Sequence, residues 1–268
     1  MNYWTQTEKN IYVAAHRGWA DKFPPNTMEA FLAAEELGVD QIETDVRVSK
    51  DGELVLIHDA TVDATTNGTG LVREKTLAEL RQLDAGSYMG EQFAGCKIPT
   101  LREFLEHFKD HPTMTLDIEL KEYPEEGRDA MAYEVCDRAL AMIDEVGYTD
   151  RVVINVWNAK LHEYIQKKYG NKYRQHVYFP LHYMGETTVD PYSYGYCCCM
   201  FPENEGETYI ASLAECDKMR ARGVQVWAGA GVRDEEGVLK AIAHGATLIT
   251  CNNPDEILTL LRKHGCHK

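Results

Sequence analysis

Short apolar runs alternate with amphipathic stretches along the chain, and this alternation is its dominant pattern. Eight runs have the length of buried strands, at residues 11–15, 41–46, 113–120, 152–156, 176–179, 196–201, 224–228 and 247–251. Between them, apolar residues recur at helical spacing, at residues 27–37, 129–146, 159–168, 213–222, 234–244 and 254–263. Strands that alternate with helices favour parallel pairing through right-handed crossovers. Eight such strands predict an α/β fold of the TIM (β/α)8 barrel type. An open doubly wound sheet is the weaker alternative, because no G-x-G-x-x-G follows the first strand.

A ninth apolar run, at residues 53–57, interrupts this alternation. Only residues 49–52 separate it from the end of the second strand, which is too short a connection for a parallel crossover. The two segments are therefore predicted to form an antiparallel hairpin with a turn at Asp51-Gly52. Such a hairpin returns the chain toward the barrel and places His58 near the end of the second strand.

The segment after the hairpin is rich in glycine and threonine and lacks the strand–helix alternation. We expect residues 47–98 to form a small insertion subdomain between strand 2 and helix 2 of a single domain that spans residues 1–268. Helix 2 is predicted to begin at Thr100, since Glu103 follows at the spacing of a capping box. By the same reasoning, Asn26 is expected to cap the first helix.

Composition narrows the classes of function. The chain has 28 Lys and Arg against 43 Asp and Glu, a formal net charge of −15, so we expect neither a nucleic-acid nor an anionic membrane partner. An anionic substrate would need locally placed positive charge or a metal ion. The eight cysteines are irregularly spaced without a C-x-x-C pair, which favours reduced thiols. Because the sequence has no secretory leader and no transmembrane run of ~18 residues, we expect a cytoplasmic protein.

Four clusters of polar residues follow predicted strands, and they carry the candidate chemistry. They are His16-Arg17-Gly18 after the first barrel strand, Glu43-Thr44-Asp45 at the end of the second, His58-Asp59 after the hairpin, and Glu119-Leu120-Lys121 at the end of the third. Residues two apart on a strand share a face, so Glu43 and Asp45 point the same way. Each cluster alone is also consistent with a structural role. Together they occupy the carboxyl ends of barrel strands, where TIM-barrel enzymes carry out catalysis.

The residue types at these positions indicate the kind of reaction. Three converging carboxylates repel one another unless a cation lies between them, and carboxylate oxygen favours Mg²⁺ or Ca²⁺ over zinc. The combined positive charge of one divalent cation, Arg17 and Lys121 exceeds the negative charge of three carboxylates by one. This excess would balance the single negative charge of a phosphodiester. His16 and His58 could then act as a pair, one imidazole deprotonating the nucleophile and the other protonating the departing alkoxide.

The four clusters belong to longer motifs that cover nearly the whole chain and are densest over residues 11–121. These motifs are His16-Arg17-Gly18, Pro25-Asn26-Thr27, Ile42-Glu43-Thr44-Asp45-Val46, Ser49-Lys50-Asp51-Gly52, Leu56-Ile57-His58-Asp59, Ile98-Pro99-Thr100-Leu101 and Ile118-Glu119-Leu120-Lys121. They resemble those of the glycerophosphodiester phosphodiesterase family. The resemblance implies a TIM barrel with a small inserted subdomain. The roles that it implies are metal ligands at Glu43, Asp45 and Glu119, an acid–base pair at His16 and His58, phosphate binding by Arg17 and Lys121, and a pocket position for Trp227.

The chain departs from the family's usual pattern around the rim of the barrel. The departures are Pro25 before Asn26, Val156-Trp157 after the fourth barrel strand, Ala228-Gly229-Ala230-Gly231 after Trp227, and Cys251-Asn252-Asn253 before Pro254. None of them removes a predicted metal ligand or histidine, so they bear on the alcohol group of the substrate and not on the reaction. The aromatic residues at strand ends are candidates either for the pocket wall or for ordinary packing, and they are Trp19, Tyr123, Trp157, Phe179 and Trp227.

We therefore predict metal-dependent hydrolysis of a small glycerophosphodiester to glycerol 3-phosphate and an alcohol, with one Mg²⁺ or Ca²⁺ and no stable membrane association. Two alternatives stay open. One is a related barrel lyase that stops at a cyclic phosphate, and the other is a catalytically inactive protein that binds phosphodiesters. The intact His16 and His58 argue against the second. A sugar isomerase barrel is less favoured, because its metal ligands normally come from more strands.

Overall fold

Strands and helices alternate along the chain. The computed structural model describes residues 2–125, 127–179, 184–186, 188, 190, 193, 197–200 and 210–268, without the side chains of residues 179 and 197–200. The strands are β1 (Tyr12–His16), β2 (Gln41–Val48), β3 (Leu54–Leu56), β4 (Thr115–Leu120), β5 (Val152–Asn155), β6 (Arg174–Phe179), β7 (Cys197–Met200), β8 (Val226–Ala228) and β9 (Leu248–Cys251). The helices are α1 (Met28–Leu37), α2 (Leu77–Leu80), α3 (Leu101–Phe108), α4 (Asp129–Val146), α5 (Ala159–Tyr169), α6 (Leu213–Ala221), α7 (Glu235–Ala243) and α8 (Pro254–Lys263).

All of these strands except β3 form a closed parallel ring. Going around the ring, β1 pairs with β2, and β4 to β9 follow in order until β9 pairs with β1. This arrangement confirms the predicted TIM barrel. The predicted ends of some strands are wrong by two residues, since β4 begins at Thr115, β6 at Arg174 and β8 at Val226. Tyr196 and Phe201, the ends of the predicted sixth barrel strand, lie outside the described residues.

The side chains of each strand alternate between two environments. On β1, Val13 and Ala15 belong to the large apolar layer between strands and helices, whereas Tyr12 and Ala14 pack in a separate cluster with Trp227 inside the barrel. On β2 and β4, Ile42 and Ile118 likewise pack outward. Successive side chains of a strand point to opposite faces, so the intervening polar residues of these strands point into the barrel. The interior therefore becomes polar toward the carboxyl ends of the strands.

The segment between β2 and α3 begins with the predicted hairpin. β3 pairs antiparallel with β2, with Val48 opposite Leu54, and Gly52 in the connecting turn has the left-handed φ of +89° that glycine adopts without strain. Beyond the hairpin, the insertion has a small apolar core of its own, formed by Val55, Ile57, Val62, Val72, Leu80, Ala85 and Ile98. This core gives the loop that carries His58 a packed support.

Two helix starts follow different rules. At α3, the hydroxyl of Thr100 accepts from the backbone N–H of Glu103 while the Glu103 carboxylate accepts from the Thr100 N–H, as the predicted capping box requires. At α1, the prediction is wrong by one residue, because the cap is Thr27, whose side chain accepts from Ala30 N. Asn26 has a left-handed φ of +59°, so its amide is directed away from the helix start.

Among the described residues, no helix has both the length and the apolar character needed to cross a lipid bilayer.

Candidate active site

Three carboxylates meet inside the carboxyl end of the barrel. Glu43 and Asp45 come from β2 and Glu119 from β4, and the parallel register places Asp45 beside Glu119. One oxygen from each residue lies within 4.8 Å of the other two, and all three residues are buried. Because each of these side chains is the inward-pointing member of its strand, the alternation of the strands is sufficient to bring the three together.

Two cationic side chains contact this cluster. Lys121 Nζ lies 2.5 Å from Glu119 Oε1 and 3.2 Å from Asp45 Oδ1, and Arg17 Nε lies 3.2 Å from Asp45 Oδ2. Burial disfavours the charged form of Asp45, but Lys121 and Arg17 outweigh it and lower the pKa of that carboxyl to about 2. Burial also opposes the charge on Lys121, yet Glu119 and Asp45 raise its pKa above the ordinary value. Asp45 is thus the firmly ionised member of the cluster.

The pKa of Glu43 shifts in the opposite direction to that of Asp45. Burial, together with the negative charges of Asp45 and Glu119, raises the pKa of Glu43 well above its ordinary value. Its Oε2 accepts a hydrogen bond of 2.9 Å from the backbone N–H of Arg17. The cluster therefore has more negative charge than Arg17 and Lys121 compensate. Three carboxylates that supply only oxygen ligands fit a small hard cation such as Mg²⁺ or Ca²⁺.

His16 lies at the end of β1 beside this cluster. Its Nδ1 is 2.7 Å from Asn252 Oδ1, and its Nε2 is 3.8 Å from Glu43 Oε2. Since an amide oxygen only accepts, Nδ1 carries the proton and Nε2 presents its lone pair. Burial and the charge of Arg17 lower the pKa of His16 to about 4. The ring is therefore neutral near pH 7.

His58 comes from the insertion and is more exposed. Its Nδ1 donates to Asp59 Oδ1 at 2.7 Å, and its side chain is 37% exposed. Arg47 donates from Nε to the carbonyl oxygen of His58 at 2.7 Å and from Nη1 to that of Lys121 at 3.4 Å. The hydrogen bond to Asp59 orients the imidazole, and Arg47 fixes the backbone that carries it.

The backbone between β1 and α1 turns sharply at the site. Arg17 and Gly18 both have left-handed φ angles, of +59° and +80°. A Cβ added to Gly18 would come within 2.7 Å of the Ala30 backbone, so only glycine fits there. The turn directs the backbone N–H of Arg17 at Glu43 and returns the Arg17 side chain toward Asp45.

Three residues at the site were not predicted to have a role there. Asn26, predicted as a helix cap, donates from Nδ2 to Asp45 Oδ2 at 2.8 Å and accepts from Thr44 Oγ1 at 2.8 Å. Asn252 positions the ring of His16, and Arg47 holds His58. The sequence offered a signal for Asn26, which is part of the motif Pro25-Asn26-Thr27, and for Asn252, which lies at the end of the last barrel strand. Their partners depend on the closure of the barrel.

The pocket above the cluster has a volume of about 490 Å³. Its charged and histidine lining comes from His16, Arg17, Arg47, His58, Glu119 and Lys121, and its aromatic wall from Tyr123, Trp157 and Tyr178. Tyr123 also donates to Glu119 Oε1 at 3.0 Å. Of the other aromatic candidates, Trp19 packs against Phe23, and the side chain of Phe179 lies outside the described residues.

The structure brings together all of the predicted site residues except Trp227. Trp227 is 1% exposed and packs inside the barrel with Tyr12 and Leu248. Its ring stacks on Trp4, with 6.4 Å between centroids, and contacts the edge of His176. Trp227 therefore lies in an apolar part of the barrel interior and is not among the residues that line the described pocket, and its role in substrate binding stays a prediction.

A closed barrel that gathers a carboxylate cluster, two cations and two histidines at the carboxyl ends of its strands has the layout of a TIM-barrel enzyme. The glycerophosphoryl diester phosphodiesterase family matches residues 16–256 of the chain. The chain therefore belongs to this family. The membership confirms both the resemblance found in the sequence and the predicted class of enzyme.

Individual relatives agree with this membership. A glycerophosphodiester phosphodiesterase of Caldanaerobacter subterraneus subsp. tengcongensis is 34% identical over 265 residues, which cover 94% of this chain and 98% of that protein. The crystal structure of a glycerophosphodiester phosphodiesterase from Agrobacterium tumefaciens has a TM-score of 0.72 at 24% identity, covering 92% of this chain and 98% of that one. An Oleispira antarctica phosphodiesterase, solved in complex with the product sn-glycerol-3-phosphate, has a TM-score of 0.75 at 24% identity, covering 94% and 96% of the two chains. The two structural matches show the shared fold.

Proposed function

We propose that the chain hydrolyses glycerophosphodiesters to glycerol 3-phosphate and an alcohol. The observation that carries this proposal is the convergence of opposite charges and paired histidines on one pocket. Glu43, Asp45 and Glu119 share a site within 4.8 Å, Arg17 and Lys121 contact it, and His16 and His58 line the pocket above it. Membership in the family supports the choice of substrate class.

The carboxylate cluster would hold one divalent cation, Mg²⁺ or Ca²⁺. Glu43, Asp45 and Glu119 are the residues that would bind it. Burial raises the pKa of Glu43 most, and the negative charges of Asp45 and Glu119, which a cation would neutralise, raise it further. When bound, the cation supplies Lewis-acid polarisation of a phosphoryl oxygen and of a nearby hydroxyl. Arg17 and Lys121 add two positive charges for the phosphate anion.

The two histidines have environments suited to different roles. His16 is neutral near pH 7, and Asn252 fixes its proton on Nδ1, so Nε2 is available as the general base. His58 donates from Nδ1 to Asp59 and lines the same pocket from the insertion, so His58 is assigned as the general acid for the departing alkoxide. Each such proton transfer typically contributes ~10² to 10⁴ in rate.

The nucleophile in the first step is the 2-hydroxyl of the glycerol group. This hydroxyl lies next to the phosphorylated oxygen, and an intramolecular attack of this kind can lower the barrier by ~7 to 11 kcal/mol relative to an untethered nucleophile. Its oxygen bonds to phosphorus as His16 removes its proton, while the ester bond to the alcohol breaks and His58 protonates that alcohol. Water then opens the cyclic phosphate with the histidines in exchanged roles, which yields glycerol 3-phosphate.

The test of the function is turnover of a panel of glycerophosphodiesters with analysis of both products. We expect glycerol 3-phosphate and the free alcohol, loss of activity after removal of metal with a chelator, and recovery with Mg²⁺ or Ca²⁺. Glu43→Gln and Glu119→Gln should each weaken metal binding by tenfold or more, whereas Glu106→Gln, a matched change at an exposed pair with Lys109, should not. Full activity after confirmed removal of metal would contradict the cation assignment.

The nucleophile is tested separately with an analogue that lacks only the 2-hydroxyl, a propane-1,3-diol phosphodiester. It should bind comparably, because its phosphate and alcohol groups are unchanged, yet react at least a hundredfold more slowly. Equal turnover of the two compounds would show that water attacks phosphorus directly. Accumulation of a cyclic phosphate as the final product would identify the enzyme as a lyase instead.

We also propose a cytoplasmic location, with a small-molecule substrate as the only partner of the site. Free thiols at Cys96, Cys136, Cys251 and Cys266 support a reducing compartment. The net charge of −15 supports the expectation that nucleic acid and anionic membranes are not partners.

A further inference from the structure

A second, smaller cavity lies inside the barrel and borders the carboxylate cluster. Its volume is about 50 Å³, and we call it the inner cavity, defined by Glu43, Asp117, Glu119, Asn155, His176 and Thr250. Glu119 lines both this cavity and the larger pocket above, as do His16, Tyr178 and Ala230. The two spaces are therefore neighbours that share part of a wall.

The wall of the inner cavity has polar atoms whose hydrogen-bonding capacity is not used. Asp117 Oδ1, Asn155 Oδ1 and Thr250 Oγ1 are buried, and none has a hydrogen-bond partner among the described residues. The three residues are 0%, 2% and 6% exposed. A buried polar group left without a partner typically costs ~1 to 3 kcal/mol, and native proteins contain few of them. Three such atoms on residues that line one cavity indicate a ligand that supplies the missing bonds.

The geometry of Asp117 is fixed from the other side. His176 Nδ1 lies 2.7 Å from Asp117 Oδ2, so that oxygen is engaged, whereas Oδ1 of this cavity-lining residue has no partner among the described residues. The ring of His176 is held in turn by Tyr178, with 5.0 Å between stacked centroids, and by Trp227 at 5.2 Å. Asp117 is thus held in a constant orientation with one oxygen presented to the cavity.

We propose that the inner cavity is a binding site for one or two ordered water molecules that brace the carboxylate cluster from inside the barrel. A water molecule takes up roughly 30 Å³ in the liquid and needs two to four polar partners when buried, which a polar cavity of this size supplies. Water donates to Asp117 Oδ1 and Asn155 Oδ1 and accepts from the hydroxyl of Thr250. A water held there is next to Glu43, whose Oε2 is already fixed from above by the Arg17 N–H.

Asp117, Asn155 and Thr250 are thereby positioning residues, because they act on the substrate only through Glu43 and Glu119. The water site itself is independent of the reaction. Its effect on metal binding rests on the proposed function, in which Glu43 and Glu119 are metal ligands. Partners in this outer layer typically change metal affinity by ~10- to 100-fold when they are removed.

The first test is a high-resolution crystal structure of the intact enzyme. We expect ordered water within hydrogen-bonding distance of Asp117 Oδ1, Asn155 and Thr250. An empty cavity, or a metal ion in place of water, would overturn the proposal.

The second test compares three threonine variants. Thr250→Val keeps the shape of the side chain and removes its hydroxyl, whereas Thr250→Ser keeps the hydroxyl. The control is Thr115→Val, which removes a hydroxyl from another buried barrel residue, one whose hydroxyl donates to Asp40 O. Titration with Mg²⁺ or Ca²⁺ alone should show about tenfold weaker binding for Thr250→Val. Thr250→Ser and Thr115→Val should bind as the wild type does.

The outcomes separate the inference from the proposed function. If the wild type binds the metal and Thr250→Val binds it equally well, the bracing role is wrong. If the wild type binds no divalent cation, the metal assignment of the proposed function is wrong, and the crystal structure still decides the water site. Thermal unfolding gives an independent result. If the Thr250 hydroxyl is bonded to water in the wild type, Thr250→Val should be less stable than the wild type. If that hydroxyl has no partner, Thr250→Val should be more stable, and this outcome would overturn the proposal.

Discussion

Glu43 and Asp45 lie two residues apart on one strand, yet their pKa values shift in opposite directions. Burial opposes charge on both residues, and the neighbours decide the outcome. Lys121, Arg17 and the amide of Asn26 surround Asp45 and lower its pKa to about 2, whereas Glu43 faces other carboxylates and its pKa rises well above the ordinary value. The two-residue spacing places Glu43 and Asp45 on one face but does not predict the difference between their pKa values. That difference comes from the residues that the fold places beside each carboxyl.

The assignment of the two histidines gives a prediction at the same scale. His58→Ala should lower kcat by about 10² to 10⁴ on a substrate with an alkyl alcohol, because no group protonates the alkoxide. A nitrophenyl ester should restore most of the loss in the first step, measured as release of nitrophenolate, since nitrophenolate departs without a proton. His16→Ala should not be rescued in this way, because it lacks the base.

The control is His107→Ala, a change at a half-exposed histidine that pairs with Glu35 on the surface. It should leave both substrates unaffected. Rescue of His16→Ala in place of His58→Ala would show that the roles are reversed. If both site variants instead lose their affinity for Mg²⁺ and Ca²⁺, the histidines are metal ligands and the acid–base assignment fails.

At the scale of single elements, the sequence predicts those features that depend only on residues close together in the chain. Glu43 and Asp45 share a face because of the two-residue period of a strand, and the four-residue gap before residue 53 predicts the hairpin. The contact between His16 and Asn252 could not be predicted, because it joins residues 236 positions apart and exists only when β9 closes against β1. The depth of Trp227 in the barrel could not be predicted for a related reason, since it depends on the stagger of the strands.

The hairpin delivers His58 only if its backbone is held against the barrel. Arg47 makes that connection, because it donates to the carbonyl oxygens of His58 and Lys121, which belong to different elements. Its Nη1 also lies 3.6 Å from Glu122 Oε1. A single side chain on β2 thereby ties the end of the hairpin to the end of β4.

Arg47→Met should therefore reduce turnover without removing any group assigned to catalysis. We expect a decrease in kcat of about tenfold and a loss of ~1 to 3 kcal/mol in the free energy of unfolding, because two partly buried hydrogen bonds to carbonyl oxygens lose their charged donor. Arg102→Met is the matched control: its guanidinium pairs with Glu145 on the surface, where such a pair is worth ~1 kcal/mol or less. Steady-state kinetics and urea unfolding check both variants. An unchanged kcat in Arg47→Met would contradict the proposed role of Arg47 in holding His58 against the barrel.

Across the whole molecule, the negative net charge contrasts with the positive side chains in the pocket. The chain has a net charge of −15, whereas its pocket contains the cationic side chains of Arg17 and Lys121. The overall field therefore does not attract an anionic substrate, and the proposed binding of phosphate depends on these two residues at short range. Since surface charge is screened within ~8 Å at physiological ionic strength, the pocket is largely insulated from the acidic surface.

Two histidines far from the pocket should give the fold opposite responses to pH. His162 is fully buried on α5, with its ring nitrogens 2.8 Å from Gln175 Oε1 and 2.9 Å from Val156 O, and burial lowers its pKa to about 4. His267, near the carboxyl terminus, lies 3.0 Å from Asp40 Oδ2, and that hydrogen bond raises its pKa. Asp40 also accepts from Val13 N, so this pair joins the chain end to β1.

From these shifts we expect opposite changes in stability. Between pH 6.5 and 4, the unfolded chain binds a proton at His162 that the folded chain does not, so the free energy of unfolding falls as pH falls, by ~3 kcal/mol over the window. His162→Gln should flatten that slope. The contribution of His267 is present below pH 6.5 and is lost as pH rises through its raised pKa, so His267→Gln should destabilise the protein at pH 5 but not at pH 9. Urea unfolding of the wild type and both variants across this range measures each slope, and parallel curves for all three proteins would show that neither histidine controls the response.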